Sequence, residues 1–249
     1  VENEWRKSGD GWYYLDSEEN GAMATDKLID DDDNTYYVDA TGVMVKNTWV
    51  KVVNEDQDDD DLAEYHYYYM QSNGKAIKAP DSGKTTFKTI DGKRYAFDDD
   101  GIMLWGWVNE NSERESDDDG WKSATYYLGS WEDGAMKTGK TNITIDGDSF
   151  NFYLDKSGST KGAGYNGEKD DKLYLAGMML KAGSDDKYQV AKLEDGCWTK
   201  VDGAEKFINE EGIAHSVDAD DVQATLDTLK ISKKAKDIKE LYTVDENAN

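Results

Sequence analysis

Cysteine is almost absent from this 249-residue chain, with Cys197 alone. A single thiol closes no internal disulfide, so there is no disulfide framework to read, and its neutral role is a small, partly buried side chain. Histidine is nearly as scarce. His66 and His215, with one cysteine, offer no metal-ligand spacing and read as strand or loop residues. Long aliphatic stretches are missing, and no run approaches the roughly 18 to 20 apolar residues of a membrane span. No signal-peptide pattern opens the chain at Val1. Basic residues are few: 29 Lys and Arg stand against 54 Asp and Glu, a formal net charge of −25. A nucleic acid would be repelled along most of such a surface, which excludes DNA and RNA as expected partners.

Catalytic signatures are also lacking. There is no Gly-x-Ser-x-Gly, no phosphate-binding loop and no nucleophile paired with a base. Carboxylate pairs could serve glycoside hydrolysis, but they need an enclosed pocket that perturbs them, and runs of exposed Asp are the opposite environment. The chain is therefore read as a non-enzyme without cofactor or catalytic metal.

What the sequence has is aromatic residues and a repeat. Tyr occurs 16 times and Trp 8 times. Low hydropathy and high charge could signal disorder, but disordered chains are poor in aromatics. A recurring phrase of paired aromatics, polar residues, a turn glycine and then a small residue or Met appears from Trp12, Thr35, Tyr67, Arg94 and Thr125. Weaker copies start at Phe152, Leu173 and Lys206. The marker glycines, from Gly21 to Gly212, lie 19 to 35 residues apart. Such self-similarity marks a repeat architecture.

Aromatics favour strands, and Asn20-Gly21, Asn73-Gly74, Asp100-Gly101 and Asp133-Gly134 are turn dipeptides, so each copy reads as a hairpin. Upstream, Asp91-Gly92, Asp146-Gly147 and Asp202-Gly203 supply a second turn signal. An isolated hairpin is barely stable in water, whereas stacked hairpins bury their aromatic faces. Within Trp12-Tyr13-Tyr14-Leu15, alternation puts Trp12 and Tyr14 on one face and Tyr13 and Leu15 on the other. The expected class is all-β, a solenoid of stacked short β-hairpins over residues 1–215.

Acid-rich stretches at Asp30 to Asp33, Glu55 to Asp61 and Glu110 to Asp119 read as solvated loops grafted between hairpins; none fits the EF-hand template. After Ala214 the grammar changes. Val222, Leu226, Leu229, Ile231, Ala235, Ile238 and Leu241 fall at helical spacings behind a possible N-cap at Asp218, so residues 216–249 read as a helical cap or linker.

The stretch from Trp5 to Thr25, WRKSGDGWYYLDSEENGAMAT, with Gly134 to Gly139, GAMKTG, resembles the cell-wall-binding repeats of Gram-positive surface proteins, the choline-binding and glucan-binding repeats. The resemblance implies a secreted, cell-surface binding module that recognises a cell-wall polymer, choline-bearing teichoic acid or a glucan. It leaves room for a catalytic or adhesin domain elsewhere in a full-length protein. It also implies aromatic cages between consecutive hairpins, with two Trp from one unit, a Tyr from the next and Met nearby. Quaternary ammonium has no N–H donor and is best held by ring faces. Trp5 and Trp12 with Tyr36 or Tyr37, and Met23 and Met44 as sulfur positions, match that order, and Trp49 and Tyr68 complete the candidate ligand-binding set. Later copies lack the paired Trp, so sugar stacking on exposed rings fits as well as choline. A passive acidic spacer or adhesin stalk is the competing reading.

Overall fold

The computed structural model describes residues 3–18, 20–117, 119–170 and 172–181, together with the strands Tyr188–Glu194, Cys197–Thr199, Lys206–Asn209 and Ala214–Ser216. Two compact units divide the chain, one holding residues 1–116 and 128–136, the other 117–127 and 137–249. The helix read over 218–242 lies outside the described residues.

The first unit is a succession of antiparallel hairpins. Strands β1 (Glu4–Ser8) and β2 (Gly11–Asp16) pair, and β3 (Ala22–Met23) joins them across the Gly21 turn. Next come β4 (Lys27–Asp31) with β5 (Asn34–Val38), β6 (Thr48–Val53) with β7 (Tyr65–Met70), and β8 (Lys88–Ile90) with β9 (Lys93–Tyr95). Strand β10 (Trp107–Val108) follows. The β8–β9 turn is the Asp91-Gly92 dipeptide read from the sequence, both residues at positive φ (48° and 79°) as a two-residue hairpin turn demands.

Two of the acid-rich stretches are not grafted between hairpins. Asp30 to Asp33 form the ends and turn of the β4–β5 hairpin, with Asp32 at φ 51°, and Glu55 to Asp61 lie in the loop that joins β6 to β7. The third conceals a further copy of the repeat. Val108 bridges Arg114 as Val38 bridges Met44, Met70 bridges Ala76 and Phe97 bridges Met103. The copy escapes a reading by glycine because Ser112, at φ 63°, stands in the turn position, where its N–H donates to Thr85 Oγ1 at 2.8 Å.

Successive hairpins are joined by one recurrent backbone bond. The residue two after the turn glycine donates its N–H to the residue heading an earlier aromatic strand: Met44 to Trp12, Ala76 to Thr35 and Met103 to Tyr67 in the preceding copy, and Met136 to Arg94 across the copy at Ser112, at 2.7–2.9 Å. The following residue closes its own copy, as Val45 does on Tyr37, Ile77 on Tyr69 and Leu104 on Ala96. The turn glycine then lies against the Met of the copy before. A Cβ on Gly42 would fall 2.7 Å from Met23 Sδ, and one on Gly74 would collide with Met44. The core is accordingly distributed into small clusters along the unit, with Tyr14, Ile29, Tyr36 and Val38 in one, Val50, Tyr68 and Met70 in the next, and Tyr95, Phe97 and Met103 in a third.

The second unit opens with a single helical turn, α1 (Gly120–Ser123), whose Trp121 packs edge-on to Phe152 at 5.9 Å. Strands β11 (Tyr126–Tyr127), β12 (Gly139–Ile145), β13 (Asp148–Leu154), β14 (Gly167–Lys169), β15 (Lys172–Leu175) and β16 (Met178–Met179) follow. The last five form one sheet in the order β12-β13-β16-β15-β14. Strands β17 (Tyr188–Glu194), β18 (Cys197–Thr199), β19 (Lys206–Asn209) and β20 (Ala214–Ser216) form another, in the order β18-β17-β19-β20. The copies from Phe152, Leu173 and Lys206 thus lie on strands, in longer sheets than the first unit builds.

Gly74 combines φ +85° with contact on Met44 and Tyr36, whereas Gly83, at φ +71°, has open space around its Cα. Gly83→Ala should cost only the left-handed backbone penalty of about 1–2 kcal/mol. Gly74→Ala should cost that plus displacement of Met44, and the difference between their urea unfolding free energies measures the packing part.

Asp98 accepts the Ile102 N–H at 2.7 Å in its turn, yet burial, and then Asp100 and Asp99 beside it, push its carboxyl up to about 6. Because the folded carboxyl holds its proton more tightly than the unfolded one, stability from this group is highest below about pH 4 and falls as pH rises towards 6. Asp98→Asn keeps an oxygen for Ile102. It should raise the unfolding free energy at pH 8 and leave it unchanged at pH 3.5, a comparison that denaturant titrations at the two pH values make directly.

Candidate functional site

The register that builds each hairpin also builds a junction with the next. Trp5 on β1 faces Tyr14 on β2. The indole meets Tyr14 edge-on at 5.1 Å and Tyr36, from the following hairpin, edge-on at 5.1 Å. Met44 packs on the same cluster. The Trp5 Nε1–H donates to Asp31 Oδ2 at 3.1 Å, which fixes the ring. Burial, and secondly the Asp31 charge, raise the hydroxyl pKa values of both Tyr14 and Tyr36, so the carboxylate field reaches both rings. Trp12 heads β2 two residues from Tyr14, on the same face, with 37% of its surface exposed, and its carbonyl takes the Met44 N–H at 2.8 Å. This junction therefore presents a half-buried indole, two tyrosines, an exposed indole and a thioether beside a carboxylate.

The same positions recur twice. Leu28 faces Tyr37, and the two pack against Tyr68 and Ala76. Trp49 faces Tyr69 and lies 5.2 Å from it, 4.9 Å from Tyr95 and 5.9 Å from Phe97, in the cluster that holds Met103. Aromatic, aliphatic and aromatic junctions thus alternate, set by whether the first strand supplies Trp5, Leu28 or Trp49. In the third, Tyr67 occupies the position of Trp12 and packs on the cluster.

Of the eight residues singled out from the sequence, Trp5, Trp12, Tyr36 and Met44 belong to the first junction. Tyr37 does not. It packs one junction further on with Tyr68, and its hydroxyl donates to Asp26, so that burial and this carboxylate push its pKa up to about 12. The sequence left Tyr36 and Tyr37 as alternatives, and the geometry brings Tyr36 to Trp5. Met23, 45% exposed, lies beneath Gly42. Trp49 forms its own junction, and Tyr68 is buried behind Leu28 rather than beside Trp49. Sequence reading missed Tyr14, Asp31, Tyr69 and Tyr95. Counting back along the first hairpin from the Gly9 turn would have found Tyr14 opposite Trp5, since a tight turn fixes the register.

Two further aromatic surfaces lie in the first unit. Trp131 lies 6.4 Å from Tyr65 and 6.3 Å from Tyr67, the rings within about 36° of parallel, and Lys51 Nζ is 4.5 Å from the Tyr65 centroid. In the copy hidden by Ser112, the Met position is Arg114. Its guanidinium lies 3.5 Å from the Trp105 centroid and 3.3 Å from Asp61. Burial lowers its pKa, against the charges of Asp61 and Asp60. A protein cation therefore already covers that indole. Among the described residues no cluster of His, Cys, Asp and Glu is arranged to hold a metal ion.

The choline-binding repeat pattern matches residues 3–49, and the cell wall binding repeat pattern matches residues 85–103. Over these two stretches the chain carries choline-binding and cell-wall-binding repeats. Among solved structures, choline binding protein F from Streptococcus pneumoniae is similar at 22% identity over 87% of this chain and 58% of that one, with a TM-score of 0.49. Its complex with ipratropium is similar at 22% identity over 84% and 61%, TM-score 0.49. The choline-binding domain of CbpL from Streptococcus pneumoniae gives 19% identity over 88% and 100%, TM-score 0.30. The chain spans about three fifths of the first two structures. No curated protein sequence matches it.

Trp49 is gripped by three rings, whereas Trp12 is largely free on one side. Trp49→Ala should lower the unfolding free energy by about 3–5 kcal/mol. Trp12→Ala should cost less, about 1–3 kcal/mol, because over a third of its surface is already exposed. Urea denaturation followed by circular dichroism distinguishes the two.

Proposed function

We propose that this chain is a non-catalytic attachment module that binds quaternary ammonium on choline-bearing teichoic acid, and so holds a secreted protein on the Gram-positive cell surface. The observation that carries this reading is the first junction. Trp5 is set between Tyr14 and Tyr36 of consecutive hairpins, with Trp12 exposed beside them and Asp31 on the indole nitrogen. Ring faces attract a cation that has no hydrogen-bond donors, and a nearby carboxylate adds Coulomb attraction without requiring one. The −25 net charge raises the local concentration of cations around the module. Residues 1–215 form the binding domain in this proposal, with 216–249 a cap or linker, and catalysis, where the whole protein has any, belongs to a separate domain.

Several weak sites on one chain act together on a polymer that carries its ligand repeatedly. The Trp49 junction is the second such site in the first unit, with Tyr67 in place of the second indole. The Trp131, Tyr65 and Tyr67 rings, inclined at 34–36°, favour a second ligand class, sugars of the same polymer resting on ring faces.

Retention on choline-substituted resin, with elution by free choline, is the expected behaviour. Trp12→Ala should weaken choline binding at the first junction by about tenfold or more, corresponding to the ~1–2 kcal/mol of one desolvated cation–π contact. Retention that is absent in the folded wild-type protein, or unchanged by removing Trp5 and Trp12 together, would sink the assignment. Absence on choline and every glycan tested would leave the acidic-spacer reading in its place.

A further inference from the structure

The first two copies of the repeat meet at a sulfur. At three joints of the first unit the turn glycine of one copy rests on the thioether of an earlier one, Gly42 on Met23, Gly74 on Met44 and Gly134 on Met103. At Gly101 the same place is taken by Ala76, which has no sulfur. The three methionines differ in their access to solvent. Met103 is 4% exposed, Met44 is half-buried and Met23 is 45% exposed.

A Cβ built on Gly42 would lie 2.7 Å from Sδ, 2.8 Å from Cε and 2.9 Å from Cγ of Met23. Near-equal distances to the three atoms put the glycine over one face of the C–S–C plane. The turn therefore covers one side of the thioether, and solvent reaches Met23 from the other. An apolar sulfur suits that seat, because it asks for no hydrogen bond.

An oxygen added to the sulfur would ask for one, and the Gly42 turn has none to give. Thr41 and Val43 donate their N–H groups to the Asp39 carboxylate at 2.8 and 3.1 Å, and Gly42 donates to the Asp39 carbonyl at 2.8 Å. Met44 donates to the Trp12 carbonyl at 2.8 Å and Val45 to the Tyr37 carbonyl at 2.9 Å. Of these bonds, the one from Met44 is the link to the preceding copy. A sulfoxide oxygen left without a donor in a packed contact is unfavourable. It must turn out to water, which withdraws the side chain from Gly42, or capture an N–H that already holds the turn in place. Either course removes a contact that positions Met44 against Trp12.

We propose that Met23 is an oxidation site that controls the first joint: its conversion to the sulfoxide by a hydroperoxide withdraws the thioether from Gly42 and loosens the bond from Met44 to Trp12. A sulfur lone pair attacks one oxygen of hydrogen peroxide, the O–O bond breaks and an S–O bond forms. The departing hydroxide takes the proton of the transferred oxygen and leaves as water, so sulfur loses two electrons and the peroxide gains them. The sulfoxide is reducible, which makes the change reversible. Burial of Met103 protects the equivalent sulfur at the joint under Gly134.

The test treats the full chain with hydrogen peroxide, follows one added oxygen at each methionine by peptide mass spectrometry, and reads the bond to Trp12 from NMR hydrogen exchange of the Met44 amide. Met23 should oxidise at least about tenfold faster than Met103. The Met44 amide should exchange at least about tenfold faster once Met23 is the sulfoxide. Methionine sulfoxide reductases of both epimer specificities should restore the slow exchange. In Met23→Leu, which keeps an apolar side chain under Gly42, peroxide should leave the Met44 amide unmoved. Oxidation of Met23 no faster than that of Met103, a Met44 amide indifferent to the Met23 sulfoxide, or an equal acceleration in peroxide-treated Met23→Leu overturns the proposal. No ligand enters the measurement, so it stands or falls separately from the binding function proposed above.

Discussion

The hydrogen bond from the residue two past the turn glycine to the head of an earlier aromatic strand is the constraint on which the first unit depends. It recurs from Met44 to Trp12, Ala76 to Thr35, Met103 to Tyr67 and Met136 to Arg94. Because donor and acceptor are both backbone, the bond does not depend on which side chain heads the strand. Trp, Thr, Tyr and Arg all serve there. Hairpins that could not survive singly are thereby coupled in register, and each coupling places a Tyr of one copy against the first strand of the one before. The close approach of the turn to the preceding Met leaves no room for a Cβ at Gly74, which ties the turn glycine to packing as well as to backbone conformation.

This separation of backbone from side chain explains how one scaffold can carry different sites. In the first three hairpin pairs the register brings together a first-strand residue, the Tyr opposite it, and a Tyr and a thioether or alanine from the next copy. With tryptophan at the first position the junction is aromatic, as at Trp5 and Trp49. With Leu28 it is a piece of aliphatic core around Tyr37 and Tyr68. The paired tryptophans are confined to the first copy, and the later copies of the first unit keep the fold without them.

The repeat was legible because its signals are local. Asp91-Gly92 reads as a two-residue turn, and Trp12 to Leu15 as an alternating strand, from a handful of residues. The less legible parts required knowing which strand meets which. Alternation assigns Tyr36 and Tyr37 to opposite faces but does not say which face meets Trp5. The copy around Val108 and Arg114 was hidden because Ser112 adopts the conformation usually left to glycine, held by Thr85. Acidic stretches read as insertions between hairpins proved to be turns and loops of the hairpins themselves, since a run of Asp carries no periodicity that distinguishes a strand end from a loop. Alternation puts Tyr14 on the face of Trp12 without naming its partner, and that partner is Trp5 in the junction itself. In a core this thin, the rings that pack the hairpins are also the rings that line the junctions between them.

That last point bears on the basic residues. With 29 Lys and Arg among 54 acids, most cations could find a carboxylate partner, yet several lie against rings: Arg114 on Trp105, Lys51 on Tyr65, Lys169 on Tyr153. Arg114 is also paired to Asp61 and partly buried, so its position is fixed from two directions and its indole is closed to any other cation. Lys51 and Lys169 have no such second anchor among the described residues, and a tethered lysine held only by a ring exchanges with solvent at little cost. The same attraction thus holds a cation from two directions in one place and from the ring alone in another. What separates the two is whether a carboxylate such as Asp61 completes the coordination of the charge.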